Sequence, residues 1–271
     1  MAEAQQIKPR TISFLGGGRI TSVLIAGLRL AGDRRQITVH DRNRRKTQLL
    51  RRQSKIEIAR NLPKAIEHAD IVVIAVRPAS VAGLLDEISK SGATPRLCVS
   101  FAAGIPLKKL RAALPATRWV RAMPSPVCRV GKGLTALCFD HGISRKDRAA
   151  VHTFFQRVGQ VVEVPEPQFD AFTATYSSSH GYHALAALSA AAQRAGLDPD
   201  TALIAAAHAL ADGIQYWRES ESSLDELLRE AATPGGIAAA TMTAMDKSGY
   251  RKVVQKGLSA GISQARRNAR R

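Results

Sequence analysis

Cysteine is scarce in this chain: Cys98, Cys128 and Cys138 are the only three, with no CxxC pair and no metal-ligand spacing. That pattern excludes a disulfide framework and a zinc site, so no metal is expected and the three read as small buried hydrophobes in a reducing compartment. Aromatic residues make up 5% of the sequence, too few for the stacking platform on which single-stranded nucleic acid is held. No apolar run approaches the roughly 20 residues of a membrane span. Met1 to Arg10 is polar, without an apolar stretch of signal-peptide length, and a soluble cytoplasmic protein with no membrane partner is expected. Acidic residues are outnumbered, 22 against 40 basic ones, for a formal charge of +18. Such a surplus favours anionic partners. The basic residues nevertheless run along the whole chain, denser only over 42–52 and 266–271, so nucleic acid is not expected and phosphorylated small molecules remain.

What the chain does have is a glycine turn in a telling place. Ile12, Phe14 and Leu15 suit a buried strand, Gly16-Gly17-Gly18 follows, and Ile20, Val23, Leu24, Gly27, Leu28 and Ala31 then recur at helical spacing. A strand feeding a helix through glycine presents free backbone N–H groups at the positive end of that helix. Gly16 takes the tight turn, and Gly18, without a Cβ, lets a pyrophosphate approach. Thr21 stands where a third Gly or Ala is usual. Gln36 to His40 reads as a second strand ending at Asp41, the acidic residue expected beyond such a turn. Asp41 can accept hydrogen bonds from an adenosine ribose and repel a 2′-phosphate, whereas Arg42, Arg44 and Arg45 can grip that phosphate. The arginines tilt the expectation toward NADP(H) over NAD(H), against the alternative that they simply begin a charged helix.

Further strands are expected within Ala69 to Pro78, which contains an unbroken apolar run that Pro78 stops, and at Leu97 to Ser100, which runs into Ala103-Gly104. Arg77, just past a strand end, is either a cofactor contact or a surface cation. Trp119 to Pro126 and Gly131 to Leu137 read as strand ends and turns, Val151 to Val158 as helix, and Gln160 to Val164 as a last strand. Beyond Pro167 the patterns are alanine-rich and helical, with more than one apolar side, which invites a partner subunit. The fold class expected is α/β: an N-terminal Rossmann domain with a mostly parallel sheet over residues 1–165, then an all-α dimerisation domain over 166–271. Two breaks interrupt the helical half, Thr175 to Tyr182 and Ala232 to Ala238. Each leads into a helix whose first N–H groups can hold a carboxylate, or are simply capped.

Taken in order, these motifs resemble the pyrroline-5-carboxylate reductase family over nearly the whole chain. The family's GAGNM turn corresponds to Gly16 to Ile20, including Arg19; its VKP to Val76-Arg77-Pro78; its S-x-x-AG to Ser100, Ala103 and Gly104. R-x-MPN corresponds to Arg121, Met123, Pro124 and Ser125, and G-x-G-x-TAL to Gly131, Gly133, Thr135, Ala136 and Leu137. TALSGSGPAY aligns without gaps on Thr173 to Tyr182, and SPGGTT lies on Thr233 to Ala238.

The resemblance implies reduction of a cyclic imine carboxylate with NAD(P)H, by a homodimer or higher homo-oligomer. It implies that Ser100, Ala103, Gly104, Met123 and Ser125 surround the nicotinamide. The substrate carboxylate is expected on Ser178, Ser179, Gly235 and Gly236, with Ile237 and Ala238 at the imine end. The departures concentrate there: Ala238 replaces the family's second threonine, and Tyr176 to Gly181 keeps only the central serine of its loop. Reduction of C=N requires a proton for nitrogen, which Ala238 cannot donate. Imidazole can give up a proton near neutral pH, so His180 is the expected acid, with Tyr176 assisting. The same departures leave open a catalytically silent homologue that senses the cofactor or serves as an interaction module.

Overall fold

The computed structural model describes residues 11–270 and builds them into eight strands and a series of helices. The alternation expected near the N-terminus is present as β1 (Thr11–Leu15), α1 (Arg19–Leu30), β2 (Gln36–His40), α2 (Arg44–Gln53) and β3 (Glu57–Ile58). It continues through α3 (Leu62–Ile66), β4 (Ile71–Ile74), α4 (Val81–Lys90), β5 (Leu97–Ser100) and α5 (Leu107–Ala113). Two long strands follow, β6 (Arg118–Pro124) and β7 (Gly133–Phe139), then α6 (Arg145–Gln156), β8 (Gly159–Glu163) and α7 (Glu166–Thr175). The strands form one sheet in the order β3-β2-β1-β4-β5-β6-β7-β8, parallel throughout except between β6 and β7.

Both faces of the sheet are covered, which is why β1, β4 and β5 are nearly unbroken in apolar residues. One face packs Phe14, Val39 and Val73 against Leu24 and Leu28 of α1 and Phe154 and Phe155 of α6. The other packs Leu15, Val72 and Ile74 against Leu85 and Ile88 of α4, Leu110 of α5 and Phe169 of α7. The chain crosses from one side of β1 to the other between β3 and β4. That reversal opens a crevice at the carboxyl ends of β1 and β4, where ligands of open α/β sheets bind.

Two expectations need correcting. Residues 118–124 and 133–139 are full antiparallel strands of seven residues each rather than strand ends and turns. A charged residue in mid-strand, Arg121, disguised the first. Its side chain is 2% exposed, pairs with Glu166 at 2.8 Å and Asp170 at 2.6 Å, and lies over the Phe169 ring. The helix expected from Val151 starts earlier, at Arg145, because the Ser144 hydroxyl caps it by accepting the Asp147 N–H.

The rest of the chain is helical: α8 (Ser179–Arg194), α9 (Pro199–Glu219), α10 (Leu224–Ala231), α11 (Ile237–Lys247) and α12 (Tyr250–Arg270). The chain divides into two compact units, one running to Tyr176 and including the residues from Gly261 onward, the other spanning Ser177–Ala260. Among the described residues no helix is long and apolar enough to cross a membrane.

Replacing Arg121 by methionine keeps the bulk but strands two carboxylates beside an apolar ring. The partly wet carboxylates recover some solvation, so Arg121→Met is expected to cost about 3 kcal/mol in urea unfolding; an unchanged midpoint would show that the pairs contribute nothing.

Candidate functional site

The glycine turn is held by both strands that flank β1. Gly16 has φ of +113°, and a Cβ there would lie 2.7 Å from the carbonyl oxygen of Ala75, so the position admits glycine for both conformation and space. Its N–H donates to the His40 carbonyl at 2.8 Å, at the end of β2, and Ala75 N–H, just beyond β4, donates to the Leu15 carbonyl at 2.8 Å. Thr21, in the place of the usual small residue, is fully buried, and its hydroxyl donates to the Gly16 carbonyl at 2.6 Å. Gly18 is the N-cap of α1 and makes no side-chain cap bond. A Cβ built on Gly18 meets nothing within 4 Å. The backbone there faces open space at the positive end of a twelve-residue helix, as phosphate binding requires.

Asp41 is committed to this turn. One carboxylate oxygen accepts the Gly17 N–H and the other the Asn43 N–H, both at 2.7 Å. A cleft of about 600 Å³ opens beside it. Among the expected cofactor residues it gathers Gly16, Gly18, Asp41, Arg42, Val76 and Arg77. Arg19 and Ile20 begin α1 behind the turn, and Pro78 begins the short turn ahead of α4. Sequence reasoning missed His40, Lys46, Ser80 and Glu87, which also line the cleft. Lys46 was within reach, since it lies in the basic run after Asp41. Glu87 had no local signal: it arrives on α4, and its carboxylate pairs with Arg42 at 2.7 Å.

The residues expected around the nicotinamide lie further along the same sheet edge, at and just past the ends of β5 and β6. The Ser100 hydroxyl is buried and accepts the Ala102 N–H at 3.3 Å. The Ala103 carbonyl accepts from the Asn268 amide at 3.3 Å, and a Cβ on Gly104 would meet the Ala265 carbonyl oxygen at 2.2 Å. The end of α12 thus backs the turn after β5. Met123 is half-buried, and the Ser125 hydroxyl accepts the Val127 N–H at 3.0 Å. Tyr176, expected to assist catalysis, closes α7, and its hydroxyl accepts the Leu134 N–H at 3.0 Å, tying that helix to β7. All three thiols are buried; burial, with Glu166 alongside, pushes that of Cys138 up to about 12, which rules out a thiolate nucleophile there.

In the helical unit, Ser178 is the N-cap of α8 and Gly236 that of α11, and neither N-cap residue makes a side-chain cap bond. At α8 the Ser177 hydroxyl accepts the Ser179 N–H at 3.4 Å and the Ser177 carbonyl accepts the His180 N–H at 3.1 Å, whereas at α11 no capping side chain accepts from Ile237 or Ala238. The Ser177 and Ser179 hydroxyls are 2.7 Å apart. Gly235 has φ of +76°, which lets the chain turn sharply into α11.

The strand-glycine-helix turn, the acidic residue at the end of β2 and the crevice between β1 and β4 define a dinucleotide-binding unit of the Rossmann type. Residues 11–104 match the family described as NADP oxidoreductase, coenzyme F420-dependent, and residues 166–268 the family described as pyrroline-5-carboxylate reductase dimerisation. The pyrroline-5-carboxylate reductase of Mycobacterium tuberculosis is 30% identical, over 94% of this chain and 95% of that one. The Corynebacterium melassecola enzyme is also 30% identical, over 92% and 95%. Among solved structures, a pyrroline-5-carboxylate reductase from Coxiella burnetii superposes with a TM-score of 0.85 at 24% identity, covering 97% of this chain and 99% of that one. One from Plasmodium falciparum, with NADP bound, gives 0.84 at 20% identity, covering 96% and 98%. The chain belongs to the pyrroline-5-carboxylate reductase family.

The two turn glycines are expected to separate on substitution. Gly18→Ala should fold normally and lose about tenfold or more in dinucleotide affinity, because its Cβ would enter only the space a phosphate would occupy. Gly16→Ala should instead lose stability in thermal unfolding. Equal behaviour of the two variants would contradict this division.

Proposed function

We propose that this chain reduces a cyclic imine carboxylate, pyrroline-5-carboxylate or a related imine, with a nicotinamide dinucleotide held in the cleft beyond β1 and β4. The observation that carries the reading is the open backbone at Gly18, capping α1 beside that cleft in a chain of this family. When bound, the dinucleotide supplies a hydride for the imine carbon. The protein's task is to orient both partners and to deliver a proton to the imine nitrogen, so that C=N becomes CH–NH. In this reading Gly16, Gly18, Arg19 and Ile20 hold the pyrophosphate, and Val76-Arg77-Pro78 with Ser100, Ala103, Gly104, Met123 and Ser125 form the wall for the nicotinamide. Ser178, Ser179, Gly235, Gly236, Ile237 and Ala238 receive the substrate, and its carboxylate is matched to the positive N-terminal ends of α8 and α11. His180 delivers the proton, because Ala238 has no hydroxyl to give, and Tyr176 assists from the end of α7.

NADP(H) is the preferred cofactor in this reading, since Arg42, Lys46 and Arg77 line the cleft and outnumber its carboxylates, Asp41 and Glu87, while both oxygens of Asp41 already accept backbone N–H groups. The active species is a homodimer or larger homo-oligomer. Leu203, Ile204, Ile214, Trp217 and Ile237 are all exposed on the helical unit, and Ile237 reaches 89% exposure. So much apolar surface calls for a second copy. The three free thiols suit a cytoplasmic setting.

Purified protein is expected to oxidise NADPH or NADH when given pyrroline-5-carboxylate or a related cyclic imine acid. His180→Ala should lower kcat about 100-fold or more, as loss of a general acid does, with little change in cofactor affinity. The lost hydroxyl at Ala238 favours a second reading, a homologue that binds cofactor without chemistry. Tight cofactor binding with no turnover across a panel of cyclic imine acids would establish that second reading and end the first.

A further inference from the structure

Arg42 and Glu87 reach the crevice from opposite sides. Arg42 follows β2, on one side of β1, and Glu87 rides on α4, which follows β4 on the other side. Both line the cleft, and their side chains meet at 2.7 Å. The pair spans 45 residues of sequence and is open to water, the arginine side chain 82% exposed and the glutamate 45%. An ion pair in that setting is weak and readily exchanged. Asp41, next in the chain to Arg42, has both oxygens engaged by the N–H groups of Gly17 and Asn43 and takes no part in the pair. The other cations lining the cleft are Lys46 and Arg77.

We propose that Glu87 is a specificity-determining residue, setting the choice between NADP(H) and NAD(H) by holding Arg42. The inference rests on the dinucleotide reading given above. A 2′-phosphate is recognised in such folds by an arginine near the end of the second strand, whereas a free 2′-hydroxyl needs no cation. Here that arginine is already engaged. A phosphate dianion must draw Arg42 away from Glu87 and then lie near the carboxylate left behind. The 2′-hydroxyl of NAD(H) does neither, so Glu87 restrains NADP(H) selectively. The restraint is electrostatic, and salt should weaken it as the Debye length shortens.

The test is direct fluorescence titration of the full-length protein with NADPH and with NADH, repeated at low and high salt. Glu87→Gln is expected to raise the NADPH-to-NADH affinity ratio about three- to tenfold at low ionic strength, with a smaller rise in high salt. Adding Arg42→Met to Glu87→Gln should abolish that gain. Glu87 is on an exposed helix face, so a normal unfolding curve serves as the control for folding. A ratio that does not move, a parallel change for both cofactors, or a gain that survives loss of Arg42 would each overturn the proposal while leaving dinucleotide binding intact. Failure of the unaltered protein to bind either cofactor would overturn the dinucleotide reading and this inference with it.

Discussion

The approach of Gly16 to the carbonyl of Ala75 is the constraint on which the first unit depends. At that point β1 ends, β4 ends and α1 is about to begin, and no side chain fits between the two backbones. Hydrogen bonds from Gly16 to His40 and from Ala75 to Leu15 bind the turn to the strands on both sides. The buried Thr21 hydroxyl and the Asp41 carboxylate close it from within. Because each of these groups is a backbone amide, a carbonyl or a short polar side chain, the turn is fixed without blocking the crevice. The open backbone at Gly18 is the result, and the cleft beside it follows from the reversal of strand order.

Much of this was legible in residue order. The unbroken apolar run of β4 suits a strand covered on both faces, and the strand-glycine-helix pattern of residues 12–28 declares its own geometry. What stayed hidden is what depends on distant partners. Arg121 makes β6 look unlike a buried strand until Glu166 and Asp170 arrive from α7 to neutralise it. Asp41 was visible as a ribose acceptor, but its bond to Gly17 N–H depends on how β2 meets the turn. Glu87 carries no local signal, since its nearness to Arg42 is a product of the fold alone. At the other end of the chemistry, motif order led to the Ser178 and Gly235-Gly236 breaks. Only the structure shows that the start of α11 carries no side-chain cap, while at α8 the Ser177 hydroxyl accepts the Ser179 N–H.

The two units also differ in how they are stabilised. The first contains two large apolar clusters, one on each face of its sheet. In the second, the described residues that are buried are small ones, Ser189, Ala202 and Ala206, while large apolar residues stand exposed along α9, α10 and α11. A helical unit of that kind gains little by folding alone, because the hydrophobic contribution scales with the area removed from water. Its stability and its function therefore both point to assembly. The replacement at Ala238, which we propose receives the imine end of the substrate, falls at the start of α11 beside the exposed Ile237, in the unit most in need of a partner.

The reaction requires hydride to leave the cofactor for an imine carbon. The direct measurement is mass spectrometry of the product formed from pyrroline-5-carboxylate and NADPH carrying deuterium at the transferable nicotinamide position. One deuterium on the ring carbon that was double-bonded to nitrogen is the predicted result. Cofactor bound at the cleft, with no labelled amino acid formed from this or any related cyclic imine acid, would contradict it.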